Sequence, residues 1–225
     1  MPVPTVFADR RSNREFESLT RRSDRIGFWP ANEEALTVDG PAATPTAGTV
    51  VRLLRYVGAG GGFAHAEQHA YLVDAMHGAV ITNARSGLVE LVETPSGRLI
   101  GLERSFALGT EFFRTRIYEL TTAGATDVSG LASLVGPSYT RAIKRLMWRG
   151  DLTNLEGLCL GTALAGGGFA LVGIIDDGDS ISVNRVVAFR LTGPVVPVCA
   201  PDLNGDGIVD FNDFLEYLNL YNAGC

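Results

Sequence analysis

The 225-residue sequence predicts an all-β fold with a small C-terminal calcium-loop–helix module. The all-β prediction rests on two observations: many short apolar or alternating runs, and turn-forming Gly, Pro, Asp and Ser between them. Many short strands separated by turns are typical of a sandwich, a barrel or a propeller. The module is predicted from one acidic loop near the C-terminus. We expect strands near residues 16–20, 25–29, 49–57, 68–73, 88–92, 98–103, 114–120, 141–148, 155–160, 169–175 and 185–191.

The composition excludes several classes of protein. Apolar residues make up 46% of the chain, which argues against a wholly disordered chain. The formal net charge of −6 argues against a sequence-independent nucleic-acid binder. The sequence lacks an apolar run long enough for a transmembrane helix and a secretory signal pattern. Lys144 is the only lysine among 19 basic residues, which we interpret as codon bias.

A repeated strand–turn–strand pattern favours a propeller among the all-β architectures. Each copy has a glutamate near the start of its first strand and acidic or polar residues at the end of its second. The glutamates are Glu17, Glu90 and Glu156, separated by 73 and 66 residues. This interval equals two blades if a blade takes about 35–45 residues. Equivalent blade positions face one channel, so we expect part of a ring of carboxylates, which needs a cation or a shared proton. The alternative is that each glutamate caps a turn and faces solvent.

An acidic loop at residues 202–213 has the spacing of a calcium-binding loop. Oxygen ligands are expected at loop positions 1, 3, 5, 7, 9 and 12, with Gly207 providing the sharp turn at position 6. These ligands are Asp202, Asn204, Asp206, Ile208 through its carbonyl, Asp210 and Asp213. A helix is expected to follow, with an apolar stripe at Phe211, Phe214, Leu215, Leu218 and Tyr221. The alternative is an acidic surface turn without a metal.

A proline-containing linker divides the chain. We expect a β-propeller domain over residues 1–193, a linker over 194–201 and a calcium-binding module over 202–225. Cys199 and Cys225 bracket the module, which predicts a disulfide and an oxidising, extracellular or periplasmic location. In the chain-entropy model such a loop closure stabilises by about 3 kcal/mol. The alternative is a pair of free thiols in a cytosolic protein.

The C-terminal module resembles one calcium-loop repeat of type I dockerins over about residues 199–225. The resemblance rests on Asp213 at loop position 12, where a helix–loop–helix sensor has Glu, and on prolines in place of a preceding helix. It implies a cohesin-like or cell-surface protein partner, with Phe211 and Asn212 at the positions that help select it. Dockerins usually carry two repeats and this chain has one, so a purely structural calcium module is the alternative.

The remainder of the chain resembles the phytase-like family, described by its esterase-like activity of phytase, over about residues 5–192. The strings that carry the resemblance are NREFESL at 13–19, ANE at 31–33, LERSF at 102–106, RIY at 116–118, NLEGL at 154–158 and IDD at 175–177. The family implies a secreted β-propeller. Its complete domain is longer at the N-terminus, so we expect a partial, open propeller that lacks one or two blades. With Glu90 from the repeat, the candidate catalytic residues are Glu17, Glu90, Glu103, Arg104, Glu156 and Asp176.

These residues suggest two functions. Clustered carboxylates would hold a calcium ion that polarises a phosphate or other ester oxygen, while Arg104 binds the substrate anion. The alternative is a non-catalytic propeller scaffold, attached to a complex or a surface through its calcium module. On that alternative Glu103 and Arg104 form an ion pair within one blade, and Asp176 belongs to a turn.

Overall fold

A computed structural model describes residues 2–78, 83–108, 112–176 and 184–192, together with residues 211, 212, 214, 215 and 218. Several expectations therefore lie outside the described residues. They are the linker 194–201, the Cys199–Cys225 disulfide, the ligands Asp202, Asn204, Asp206, Ile208, Asp210 and Asp213, and also Gly207, Tyr221 and Asp177.

The described residues form three antiparallel sheets in chain order. The first sheet contains β1 (Phe16–Arg21), β2 (Gly27–Asn32), β3 (Thr49–Ala59) and β4 (Gly62–Val73). The middle sheet contains β5 (Arg85–Glu93), β6 (Leu99–Phe106), β7 (Phe113–Thr121) and β8 (Ile143–Gly150). The third sheet contains β9 (Leu155–Ala163), β10 (Phe169–Ile175) and β11 (Arg185–Leu191). Each described strand overlaps one of the predicted runs, so the all-β prediction is confirmed.

The sheets are arranged as in a partial propeller. Each sheet is a meander whose first strand is innermost: β1 contacts β5, and β5 contacts β9. The three sheets do not close into a barrel. Since the strands that carry Glu17, Glu90 and Glu156 begin successive sheets, the repeat interval is one blade. The expectation of two blades per interval is wrong, because the long β3–β4 hairpin and the connections at 33–48 and 122–142 enlarge each blade.

Two apolar layers hold the three sheets together. The layer between the first and middle sheets includes Trp29, Leu53, Tyr71, Leu88, Leu91 and Tyr118. The layer between the middle and third sheets includes Val89, Ile100, Leu102, Ile117, Leu155 and Leu171. Neighbouring residues of a strand point to opposite faces, so Leu88 and Val89 enter different layers. Burial on both faces explains the adjacent apolar residues in the two innermost strands of the middle sheet, β5 and β6.

The outer side of the first sheet is covered in part by two irregular segments. A 3-10 helix at Thr5–Asp9 places Phe7 against Leu54 and Tyr56. The connection 122–142 runs beside β4, where the Val128 and Ala142 amides donate to carbonyls of that strand. Arg52 lies fully buried beneath this connection and makes a bidentate ion pair with Asp39, with nitrogen–oxygen distances of 2.7 and 2.8 Å. These contacts fix the connection to the sheet.

Beyond the sheets, the structure describes a few residues of the expected C-terminal helix. Phe211, Asn212, Phe214, Leu215 and Leu218 have helical backbone, in agreement with the sequence prediction. The side chains of the four apolar residues among them are exposed. Within the described part of the chain, we find no helix whose length and apolar character would let it cross a membrane.

Candidate functional site

The sheets bring most of the candidate residues to one end of the stack. We call this end the upper rim: β1, β5 and β9 begin there, and β2, β6 and β10 end there. Because successive strands are antiparallel, the start of one strand lies beside the end of the next. The residues at the upper rim are Glu17, Glu33, Arg104, Glu156 and Asp176.

β-Bulges in the inner strands set the positions of the glutamates. A bulge leaves one residue without a partner in the neighbouring strand and re-aims its side chain. The residue without a partner is Glu17 in β1, Val89 in β5 and Glu156 in β9. Glu17 and Glu156 are therefore equivalent, as the repeat predicts. Glu90 lies one position further along, so its expected equivalence to the other two is wrong.

Glu90 instead joins the three inner strands. Its carboxylate accepts a hydrogen bond from the Leu91 amide at 2.9 Å and further backbone hydrogen bonds from Leu19 and Leu158. These leucines stand two positions after the bulge in their respective strands, so equivalent amides of three blades converge on one side chain. Burial raises the pKa of Glu90 to about 7 although all three amides act to lower it. This carboxylate can therefore gain a proton near neutral pH.

Arg104 connects the rims of the first and third sheets. Its guanidinium donates to Glu156 at 2.8 Å and to the Asn154 side chain, and its other terminal nitrogen lies 3.3 Å from Glu33. Glu33 also accepts a hydrogen bond of 2.6 Å from Arg14. Arg104 is largely buried, with 14% of its side chain exposed. Basic and acidic side chains thus alternate across the upper rim, in the order Arg14, Glu33, Arg104 and Glu156.

Two carboxyl groups of this rim are electrostatically perturbed. The pKa of Glu17 is raised by burial and by the negative charges of Glu33 and Glu156, against the effect of Arg104. The pKa of Glu156 is raised by burial and by Asp176, although Arg104 acts to lower it. Asp176 is held beside Glu156 because its amide donates to the Asn154 carbonyl at 3.2 Å. Carboxyl groups with raised pKa values are suited to proton transfer.

Glu33 is the rim residue whose role the sequence did not predict. Its position became apparent only when the sheets were paired, because its partner Arg104 lies 71 residues away. Glu33 sits on Gly87, where an added Cβ would come within 2.4 Å of the Glu33 Cγ. The signals available in the sequence are the ANE string at 31–33 and a glycine at the start of β5, opposite the end of β6.

Glu103 does not join this site. Adjacent residues of a strand face opposite sides of a sheet, so Glu103 and Arg104 diverge. Glu103 is fully buried towards the first sheet and accepts hydrogen bonds from the Tyr71 hydroxyl at 2.5 Å, the Asp74 amide at 2.9 Å and Lys144 Nζ at 2.6 Å. The expected Glu103–Arg104 pair is not formed. Glu103 instead anchors the middle sheet to the first.

The described rim does not have the donor set of a calcium site. Among the residues that the structure describes, no three His, Cys, Asp or Glu side chains lie together as a metal site. Glu33 and Glu156 are paired with guanidinium groups, and Glu90 with backbone amides. Calcium in the channel therefore has no support from the described residues. The predicted calcium loop is a separate expectation outside them.

A largely apolar groove of about 540 Å³ opens beside the rim, on the outer face of the first sheet. Its walls are Val3, Phe16, Leu19, Phe28, Pro30 and Tyr56, with Glu17, Ser18 and Glu90 along one side. The groove lies on the side of the first sheet that faces away from the middle sheet. Its walls suit an apolar occupant better than the anion that Arg104 would bind.

No curated protein and no solved structure significantly matches the chain. A protein-family model named Phytase-like, and described as esterase-like activity of phytase, matches residues 1–178. The match spans most of the chain and includes the whole upper rim described above. The chain therefore belongs to the phytase-like family.

Proposed function

We propose that the upper rim hydrolyses an ester bearing an anionic group, either a phosphate ester or a carboxylate-containing ester. The observation that carries this proposal is the position of Arg104, between two glutamates and beside two carboxyl groups with raised pKa values. Membership of a family described by esterase-like activity supports the reaction class.

The first step is exchange of one ion pair. A guanidinium binds phosphate or carboxylate with two parallel hydrogen bonds. A substrate anion therefore competes with Glu156 for the Arg104 guanidinium. The Glu156 side chain is 37% exposed, so solvent and substrate can reach it. Glu33 is almost fully buried and also paired with Arg14, so it stays in place and orients Arg104.

The second step uses the two perturbed carboxyl groups. The released Glu156 carboxylate takes a proton from a water molecule, and the water oxygen attacks the phosphorus or acyl carbon. The bond to the leaving oxygen breaks, and Glu17 in its protonated form gives its proton to that oxygen. Glu17 is suited to carry this proton because burial and its acidic neighbours raise its pKa. One water is consumed, and the acid and alcohol are the products. Glu156 then releases its proton to solvent and Glu17 takes one up, which restores both groups.

The C-terminal module has a separate role in this proposal. Residues 202–213 bind calcium through the six ligands named above, and the module attaches the propeller to a cohesin-like or cell-surface protein outside the cell. The spacing of oxygen ligands supports the metal, and the exposed apolar residues of the following helix support a protein contact. Calcium holds the loop and takes part in no catalytic step.

A non-catalytic scaffold is the second candidate function. The observation in its favour is that Glu33, Asn154 and Glu156 already occupy the guanidinium of Arg104. On this reading the rim is an ion-pair network that joins the blades, and the protein acts only by binding.

Turnover separates the two candidates. The substrates are p-nitrophenyl phosphate and the mono-p-nitrophenyl ester of succinate, which carry a phosphate and a carboxylate group for Arg104. They are tested with the folded 225-residue chain and with its Glu156→Gln and Glu17→Gln variants. We expect each variant to lose about 10²–10⁴-fold in kcat, the usual range for a general acid or base. Glu119→Gln is the control, because Glu119 pairs with Arg98 and Arg145 away from the rim. No turnover by the folded chain, or turnover unchanged in both rim variants, would support the scaffold.

Calcium binding is tested independently of activity. Calorimetric titration of the metal-free chain with calcium should give one binding event that Asp202→Ala abolishes. The Glu156→Gln variant should bind calcium like the wild type. Calcium binding that survives Asp202→Ala but is lost in Glu156→Gln would place the ion at the rim and contradict this assignment.

A further inference from the structure

Three arginines of the middle sheet line one cavity on the face that points towards the first sheet. Arg116 is paired directly with Glu103 of β6 and with Arg149 of β8, and cross-strand partners share a face. Arg114 stands two positions before Arg116, so its side chain leaves β7 on the same side. Arg104 follows Glu103 and lies on the opposite face of the sheet. The cavity is therefore separate from the upper rim.

The cavity has the size of a small-molecule site. Its volume is about 370 Å³, and its walls are Arg114, Thr115, Arg116, Arg149, Gly150 and Asp151. Binding sites for small molecules usually measure about 300–1,000 Å³. Every wall residue belongs to β7, to β8 or to the position directly after β8. The outer faces of the first and third sheets contribute nothing to it.

Strand register places like charges against each other in this cavity. Arg116 and Arg149 are directly opposite in β7 and β8, a placement that brings Cβ atoms to about 4.5–5.5 Å. Like charges at such positions destabilise a sheet, and Arg114 adds a third guanidinium beside them. An anion held between these groups would remove the repulsion. The register therefore favours an anion-binding role for the cavity.

The carboxylates near the cavity do not occupy all the donors of its guanidinium groups. Within the described residues, Arg116 contacts Asp74 and the Tyr118 hydroxyl through Nη1 alone, both at 3.4 Å. Asp74 also pairs with Lys144 at 3.0 Å, so one carboxylate serves two cations. The exposed Arg149 side chain has no hydrogen bond or ion pair to any residue that the structure describes. Donors therefore remain available for a ligand.

Hydrogen bonds hold two walls of the cavity in place. Arg114 Nη1 donates to the Met76 carbonyl at 2.8 Å. Thr115 Oγ1 donates to the Leu152 carbonyl at 3.2 Å, which fixes the segment after β8. That segment includes Asp151, an exposed wall residue whose carboxylate makes no ion pair with any described arginine. These walls are therefore fixed before a ligand binds.

We infer that this cavity binds a phosphate group, either as the free anion or as a phosphate monoester. Guanidinium groups bind phosphate through paired, charge-assisted hydrogen bonds. The arginines come from two strands and so reach oxygens that lie in different planes. A tetrahedral phosphate offers such oxygens, and a planar carboxylate does not. The inference rests on the register of β7 and β8 and is independent of the proposed hydrolysis at the upper rim.

Calorimetric titration tests the site at pH 8 and constant ionic strength. The probes are inorganic phosphate, methylphosphonate as a stable substitute for a phosphate monoester, and acetate as a planar control. We expect Arg149→Gln to weaken phosphate binding by roughly 10–100-fold, the effect of one hydrogen-bonded charged group. Arg145→Gln is the matched control, because it removes the same charge from the same strand but affects a pair with Glu119. The tighter of phosphate and methylphosphonate identifies the form that the cavity accepts.

The same titration separates this cavity from the upper rim. Loss of one phosphate-binding event in Arg149→Gln, with that event kept in Arg104→Gln, would support the cavity even if the chain hydrolyses no ester. Binding that is lost in Arg104→Gln but unchanged in Arg149→Gln would place the anion at the rim and overturn the inference. Absence of binding by the wild type, equal weakening by Arg149→Gln and Arg145→Gln, or acetate binding as tight as that of phosphate would also overturn it.

Thermal unfolding gives a second readout and checks that each variant is folded. Without phosphate, Arg149→Gln should unfold at the same temperature as the wild type or at a higher one, because its repulsion with Arg116 is removed. When phosphate replaces chloride at equal ionic strength, the Tm of the wild type should rise and that of Arg149→Gln should not. An equal rise in both proteins would reveal a general effect of phosphate on stability and contradict a specific site.

Discussion

Removal of the Lys144 ammonium group should destabilise the protein strongly. Lys144 donates to Glu103 at 2.6 Å, to the Leu72 carbonyl at 2.6 Å and pairs with Asp74 at 3.0 Å. Its Nζ also lies 4.2 Å from the centre of the Tyr118 ring. Glu103 is completely buried, so Lys144→Met would leave this carboxylate without its cation while the side-chain packing is largely kept.

The magnitude follows from the burial of the pair. Loss of one partner of a buried ion pair costs about 3–5 kcal/mol, because the remaining charge is uncompensated. Burial raises the pKa of Glu103 and Lys144 counteracts this rise, so in Lys144→Met the carboxyl group should take up a proton more readily. The loss of stability should consequently be larger at pH 8 than at pH 5. Lys144→Arg should also destabilise, since a planar guanidinium cannot direct three tetrahedral donors to the same oxygens.

The assay is urea unfolding of the wild type, Lys144→Met, Glu103→Gln and the double variant, with linear extrapolation to water. The double variant should lose less than the sum of the single losses, because the two groups interact directly. Arg145→Met is the control: Arg145 is the next residue in the chain, is 69% exposed and pairs with Glu119. Its loss should be below about 1 kcal/mol. If Lys144→Met also lost less than about 1 kcal/mol of unfolding free energy, or if the losses in the double variant were additive, the reasoning would be refuted.

Three further predictions concern other buried or crowded groups. Gly87→Ala should displace Glu33 and cost about 1–3 kcal/mol in urea unfolding, because the new Cβ would come within 2.4 Å of the Glu33 Cγ. Between about pH 4.5 and pH 7 the free energy of unfolding should fall as the pH rises. The folded protein holds a proton on Glu90, whose pKa burial raises to about 7, and the unfolded chain has already lost it. Glu90→Gln should flatten this dependence. Arg52→Met should cost about 3–5 kcal/mol in urea unfolding, since it leaves the fully buried Asp39 carboxylate without its cation and with the Leu134 amide as a neutral donor.

Each of these predictions has a control and a contradicting result. Gly130→Ala should be nearly neutral, because no atom lies within 4 Å of the added Cβ, and an equal loss at both glycines would remove the steric argument. Equal pH slopes for the wild type and Glu90→Gln would show that Glu90 does not hold the proton. Arg55→Met affects a more exposed pair with Glu67, so an effect as large as that of Arg52→Met would contradict the role of burial.

The sequence alone was sufficient to place the strands. Alternation of apolar residues and turn chemistry are local signals, and each described strand overlaps a run that these signals predict, although β4 begins at Gly62, before the predicted run at 68–73. The repeat also placed Glu17 and Glu156 correctly at equivalent positions, because both stand at the start of an inner strand. The resemblance to the phytase-like family is likewise confirmed.

Tertiary structure decided which of these residues meet. The bulged residue is Glu17 in β1 and Glu156 in β9 but Val89 in β5, so Glu90 stands one position beyond the place of the other two glutamates. The pleat of β6 sends Glu103 and Arg104 to opposite faces. The partners of Arg104 come from two other sheets, about 50 and 71 residues away in the chain. Lys144, the only lysine of the sequence, has a specific place beside Glu103. Strand formation depends on neighbouring residues. The site depends on register, in which one extra residue changes the face of the sheet that a side chain occupies.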